Sequence, residues 1–310
     1  MKILICGATG LIGSALVKSI NSQHELTIIS RSVDRSKKIF PQLPAYTWDV
    51  FQQQSDFVSD FDVIINLAGA NIGSQRWTRS RKKQIVDSRV ISTRCIAEAC
   101  ANSEHAPRIL NASAIGIYSA KRNDDNCYTE ASAINTDTND FLSTVAQQWE
   151  TALVTAETAK VSVVKLRFAV VLSKHGGALA KLLPAYKMGL GGKIGSGKQA
   201  FSWVSLTDVV RAIQYIIEHP DITGAVNIVA PEIVNQKTFS QTLAKILHRP
   251  AFFTMPAFVV KLLFGEMGEA LILDGQRVKD DKLRQHGFHY EYPKLEAALT
   301  HELQSAVEKT

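Results

Sequence analysis

Apolar positions along this chain come in two alternating textures. Short runs at 3–6, 26–29, 63–67, 108–112 and 161–166 are rich in β-branched residues and leucine and are bounded by polar residues or glycine. Runs that stay apolar at consecutive positions predict strands buried on both faces. Between them, stretches at 13–22, 81–101 and 138–157 repeat apolar residues at helical spacing. Strands alternating with helices predict an α/β fold, a doubly wound parallel sheet with helices on both sides.

Past residue 170 the texture changes. A glycine-rich stretch at 189–197 separates two helical patterns and reads as loop and hairpin. It imitates a phosphate loop, but no strand runs directly into it and no helix opens at its last glycine, so a turn-rich excursion is the better reading. Helical patterns follow at 236–247, 257–264 and 292–304, and there is no internal repeat or proline-rich linker. The expected division is a dinucleotide-binding domain at 1–170, with later strands supplied by 200–230, and a smaller interleaved substrate lobe at 171–310.

The first chemistry lies at the first strand–helix junction, Gly7-Ala8-Thr9-Gly10-Leu11-Ile12-Gly13. The three glycines serve three mechanical ends, namely a tight turn, close approach of backbone to a diphosphate, and close packing of helix on strand. Amides at the helix start then meet phosphate charge, aided by the helix dipole. In this position the motif predicts a Rossmann-type cofactor site formed by Gly7, Thr9, Gly10, Leu11, Ile12 and Gly13. The second strand should end near Ser30, where an acid often binds the ribose 2′-hydroxyl of NAD. This chain has Arg31 and Ser32 there instead. A guanidinium pairs with a 2′-phosphate and a serine adds a hydrogen bond, so NADP(H) is expected over NAD(H).

Composition narrows the alternatives. With 45% hydrophobic and 21% charged residues, the chain can bury a sizeable core. Its net charge of +6 comes without a long basic block or a nucleic-acid motif, so an anionic small ligand is expected rather than DNA or RNA. Cys6, Cys95, Cys100 and Cys127 form no C-x-x-C pair, which is the usage of a reducing compartment. Scattered histidines offer no metal site. No signal segment and no membrane-spanning run is seen, so a cytoplasmic location is expected.

Further motifs give the chain a familiar outline. Asn66-Leu67-Ala68-Gly69, Arg76-Trp77-Thr78, Asp87-Ser88-Arg89, Ala112-Ser113-Ala114-Ile115-Gly116, Trp149-Glu150, Gly195 to Gln199, Phe201-Ser202-Trp203, Arg249-Pro250 and Gly265-Glu266 follow the glycine loop in order. On these residues the chain resembles the extended short-chain dehydrogenase/reductase superfamily. Within it, the chain resembles the sugar-nucleotide epimerase-like (NAD-dependent epimerase/dehydratase) family with its own C-terminal domain. The resemblance implies that Leu67, Ala68 and Gly69 line the cofactor cleft and that Asp49 and Val50 contact adenine. It implies Ser113 as the catalytic serine and Tyr118 as a substrate-side tyrosine. Glu130 borders the substrate by the same analogy; Trp203 offers either an apolar or stacking wall or a core side chain, core being the commoner fate of a buried tryptophan. The helices at 81–101 and 138–157 pair two subunits in many such proteins, so a homodimer through them is one expectation, and apolar faces that serve only the sheet are the other.

One departure matters. The superfamily usually supplies a Tyr-x-x-x-Lys pair, in which the lysine lowers the tyrosine pKa for proton exchange during hydride transfer. Aligned on Glu150, this chain has Leu142 and Ala146 at those positions, and the resembled family generally lacks the pair too. Two functions therefore stay open: an NADP(H)-dependent epimerase or oxidoreductase acting on a small polar substrate such as a nucleotide sugar, or a non-catalytic NADP(H)-binding regulator or scaffold of cell-division-inhibitor type.

Overall fold

Alternate residues of the first strand, β1 (Lys2–Cys6), enter two different apolar cores: Ile3 and Ile5 one, Leu4 and Cys6 the other. Strand side chains alternate sides, so a strand apolar at every position needs a layer on each face. A computed structural model describes residues 1–53, 56–120, 127–137 and 139–304. After β1 come α1 (Leu11–Ile20), β2 (Glu25–Ile29), α2 (Val33–Ile39), β3 (Ala45–Tyr46), α3 (Trp48–Gln53) and β4 (Val63–Asn66). Then follow α4 (Arg79–Ala101), β5 (Arg108–Ala114), α5 (Phe141–Thr151), α6 (Val154–Thr158) and β6 (Val163–Phe168).

The later chain holds β7 (Val170–Leu172), α7 (Gly177–Lys187), β8 (Gly192–Ile194), β9 (Ala200–Phe201), β10 (Trp203–Ser205) and α8 (Leu206–Glu218). It closes with β11 (Gly224–Ile228), β12 (Val234–Asn235), α9 (Gln236–Ile246), β13 (Phe253–Met255), α10 (Ala257–Gly268), α11 (Asp281–Gln285) and α12 (Leu295–Gln304).

Seven strands form one parallel sheet in the order β11-β6-β5-β4-β1-β2-β3. Helices α1 and α8 bury Leu16, Val17, Ile213 and Ile216 on one face. Helices α4 and α6 bury Ile96, Ala97 and Ala156 on the other, a Rossmann-type doubly wound arrangement. Strand order reverses at β1, so a crevice opens at the C-terminal ends of β1 and β4, where such sheets hold ligands.

A third apolar core, with Leu172, Leu183, Trp203, Phe239, Leu243 and Leu299, belongs to the later lobe. A return segment sews that lobe to the sheet. Tyr128 N donates to Arg277 O and Lys279 N to Tyr128 O, both at 2.8 Å, and Asn227 Nδ2 of β11 donates to Lys279 O at 2.9 Å.

Three expectations need correction. The 189–197 stretch is not a hairpin: β8 pairs in parallel with the distant β13, because sequence-adjacent glycines turn the chain without supplying a partner strand. The helical pattern at 138–157 starts at a residue, Thr138, outside the described set. The helix itself begins after Asp140, which caps it by accepting from Ser143 N at 3.1 Å, and the chain re-starts as α6 after a break at Ala152–Leu153. The 257–264 pattern runs on to Gly268 through a kink at Gly265, whose φ of +59° suits a residue without Cβ.

Candidate functional site

The crevice is built from backbone. Gly7 sits at φ +83°, and a Cβ there would lie 2.7 Å from the carbonyl of Leu67 and 2.9 Å from Ala68 N. Glycine thus lets the first loop touch the segment after β4. A Cβ on Gly13 would lie 2.3 Å from Gly7 O, so α1 abuts its own loop. On Gly10 it would meet only Gly7 O, at 3.2 Å, which leaves this corner otherwise open. Helices α2, α4, α5, α8 and α9 are capped by Ser32, Thr78, Asp140, Ser205 and Asn235, whereas no side chain caps α1. Its first amides are therefore available to an anion.

At the neighbouring strand end, Arg31 is exposed and makes no ion pair among the described residues. Ser32 caps α2 by accepting from Arg35 N at 3.3 Å, so its oxygen is engaged while its proton stays free. Asp49 and Val50 lie in the first turn of α3, Asp49 exposed and Val50 half-buried. Gly69 rests on Arg89, whose guanidinium carbon would be 3.3 Å from a Cβ there. Arg89 lies 4.9 Å over the Trp149 ring and donates to Ile85 O at 2.9 Å. Burial pushes its pKa down to about 10.

Below the C-terminal ends of β5, β6 and β11 lies a different construction, a closed polar network. Ser113 Oγ donates to Glu150 Oε1 at 2.7 Å. Arg167 grips both oxygens of Glu150 at 2.8 Å and donates to Tyr118 Oη at 2.8 Å. Tyr118 Oη donates to Asn227 Oδ1 at 3.0 Å, and Asn227 N donates to Glu130 Oε1 at 3.0 Å. Burial pulls the Arg167 pKa down, but the hydrogen bonds and charge of Glu150 more than reverse this. Burial raises the pKa of Tyr118 against the opposing charge of Arg167, and raises that of Glu130 against amide donors from Asn227 and Lys282.

The structure thus brings Ser113, Tyr118 and Glu130 into one chain of contacts and leaves Trp203 out of it. Trp203 is fully enclosed in the later lobe's core, so of its two readings the core one describes it and the stacking wall is corrected: its ring has no free face. Ser113 and Tyr118 are also enclosed, at 2% and 0% exposure. Leu142 lies against Gly116, and Ala146 is buried in the main core.

Sequence reading assigned no role to Arg89, Asn111 or Asn227 and no partner to Asn66. Asn66 Nδ2 donates to Asn111 Oδ1 at 2.7 Å and to Thr93 Oγ1 at 3.0 Å, and Trp149 Nε1 also donates to Thr93 at 3.0 Å. A signal existed: polar residues inside otherwise apolar parallel strands are buried and must find partners.

Bare helix amides at the reversal of a parallel sheet define a Rossmann-type nucleotide-binding fold. The family model described as the NAD dependent epimerase/dehydratase family matches residues 3–230, and a domain of unknown function, DUF1731, matches 255–302. The chain belongs to the NAD dependent epimerase/dehydratase family. An epimerase family protein of Staphylococcus haemolyticus is 39% identical over 300 residues, covering 96% of this chain and 97% of that one. The human epimerase family protein SDR39U1 (isoform 2), solved with NADPH, superposes with a TM-score of 0.86 at 31% identity, covering 97% of this chain and 98% of that one. A nucleoside-diphosphate sugar epimerase of Corynebacterium glutamicum gives 0.77 at 29% identity, covering 98% of this chain and 58% of that one. Among the described residues, no helix is long and apolar enough to cross a membrane.

Proposed function

We propose that this chain is an NADP(H)-dependent epimerase or oxidoreductase of a small polar substrate, with nucleotide sugars the class to test first. The supporting observation is the crevice: glycines where backbone must approach a diphosphate, and Arg31, without an ion pair among the described residues, where a 2′-phosphate needs a cation. The NADPH in the human relative's structure supports the same choice. Amides of Gly7 to Gly13 would hold the diphosphate, Arg31 and Ser32 the 2′-phosphate, and Asp49 and Val50 the adenine. Leu67, Ala68 and Gly69 would line the remaining wall. When bound, the nicotinamide supplies a hydride acceptor or donor.

The chain's own part is to place and polarise a hydroxyl. Ser113 gives its proton to Glu150, so its lone pairs remain to accept a hydrogen bond from a substrate hydroxyl. Arg167, bidentate on Glu150, locks that orientation. Tyr118, enclosed, holds Arg167 by accepting from its Nη1, and Glu130, half-buried, continues the network towards the substrate side. Titration with NADP(H) and NAD(H), followed by incubation with a panel of sugar nucleotides, tests the proposal. Tighter NAD(H) binding removes the cofactor assignment, and absence of any turnover removes the enzyme.

A second reading draws on one observation: Ser113 is enclosed, and Leu142 and Ala146 cannot exchange protons. Under it the chain binds NADP(H) as a regulator or scaffold. A cellular phenotype that survives Ser113→Ala but not Gly10→Asp selects this reading. Two copies pairing through α4 and α5 is our proposal for the assembly; Ile91 on α4, 61% exposed, is an apolar residue suited to such a contact. Sedimentation of Ile91→Lys against the parent checks it.

A further inference from the structure

A surface cavity of about 560 Å³ opens on the later lobe, and none of its lining residues belongs to the dinucleotide crevice. Lys193 of β8, Lys198 of the following turn and Lys237 of α9's first turn line it, and no carboxylate does so among the described residues. The fold gathers these cations closely. Gly197 stands at φ +71°, and a Cβ on it would meet Lys193 Cγ at 2.6 Å and Lys237 Cβ at 3.1 Å. None of the three ammonium groups makes an ion pair among the described residues. Like charges collected without a counter-charge repel, and an anion in their midst reverses that cost.

Hydroxyl donors complete the lining. Ser240 is buried, at 1% exposure, and accepts from Tyr186 Oη at 2.7 Å, which leaves its own proton for a ligand. Ser196 and Thr254 add further hydroxyls. Lysines act on phosphate as mobile point charges, and hydroxyls fix the remaining oxygens. Beside the wall, Phe252 and Phe253 stack at 5.3 Å and stand 76% and 50% exposed.

We propose that this cavity binds a phosphate-bearing group, a second anion site independent of the dinucleotide crevice. The group belongs to a soluble metabolite or to a lipid headgroup, the exposed phenylalanines in the latter case entering the bilayer surface. Calorimetric titration with inorganic pyrophosphate, and flotation with vesicles of phosphatidylcholine and phosphatidic acid, separate the two sources.

The wild type should bind one of these probes saturably. Lys198→Met and Lys237→Met should each weaken binding about tenfold, and the triple variant with Lys193→Met on the order of 100-fold or more. Arginine at the same three positions should retain binding. Unchanged dinucleotide affinity and thermal unfolding in the methionine variants would show that the fold and crevice are intact. Pyrophosphate bound equally by the wild type and the triple methionine variant would belong elsewhere and overturn the proposal. Failure of both probes to bind would do the same.

Discussion

The dinucleotide crevice and the Ser113–Glu150–Arg167–Tyr118 network lie along the same edge of one sheet yet are made in opposite ways. The crevice works by absence: no Cβ at Gly7 or Gly13 and no cap on α1, so backbone groups are left facing solvent. The network works by presence, each polar atom answering another in a buried setting. One region is prepared to receive charge from outside, whereas the other has neutralised its own. A binding site for an anion needs unsatisfied donors, while a buried ion pair is tolerable only when its partners are in place.

The difference can be broken first at Glu150. Glu150→Ala leaves Arg167 buried without its carboxylate and should lower stability by about 3–5 kcal/mol, read from denaturant unfolding. Glu150→Gln, which keeps the shape, should cost less. In the crevice, Gly13→Ala drives a methyl into Gly7 O. NADP(H) affinity should fall on the order of 100-fold, or roughly 3 kcal/mol, in fluorescence titration.

pH sharpens the contrast, because two carboxyls with raised pKa, buried Asp280 and half-buried Glu130, are on the network side. Asp280 is buried and its carboxyl is pushed up to about 6 by that burial. A carboxyl with a raised folded pKa binds more protons folded than unfolded, so its protonated form favours the fold. Stability should therefore fall as pH rises from about 4 to about 6, by up to ~3 kcal/mol from this residue. Glu130, shifted the same way, adds to the trend. Asp280→Asn should flatten that part of the profile in thermal unfolding at stepped pH. The smallest effect is expected at Arg31. Arg31→Ala should cost about tenfold in NADP(H) affinity and leave NAD(H) nearly unchanged, since only a 2′-phosphate calls on that guanidinium.

How much of this could be read from the chain alone follows from the range of each interaction. Five strands of the main sheet (β1, β2, β4, β5 and β6), the longer helices α1, α4, α5 and α9 and the glycine loop were legible because their causes are local. Side-chain alternation repeats every second residue, helical faces recur within a turn, and Gly7 to Gly13 span a single strand–helix junction. That Leu142 and Ala146 stand where the superfamily usually carries its Tyr-x-x-x-Lys pair follows from the resemblance counted back from Glu150, not from a local pattern.

Tertiary structure alone decided the rest. Ser113 meets Glu150 across 37 positions, and Tyr118 reaches Asn227 across 109. Whether Trp203 lines a cleft or a core, whether β8 pairs with its neighbour or with β13, and whether three lysines share a cavity depend on which surfaces the folded layers bring together. Periodicity says which face of an element is apolar. It does not say which partner will cover that face, because the choice is made by packing the whole sheet and lobe at once.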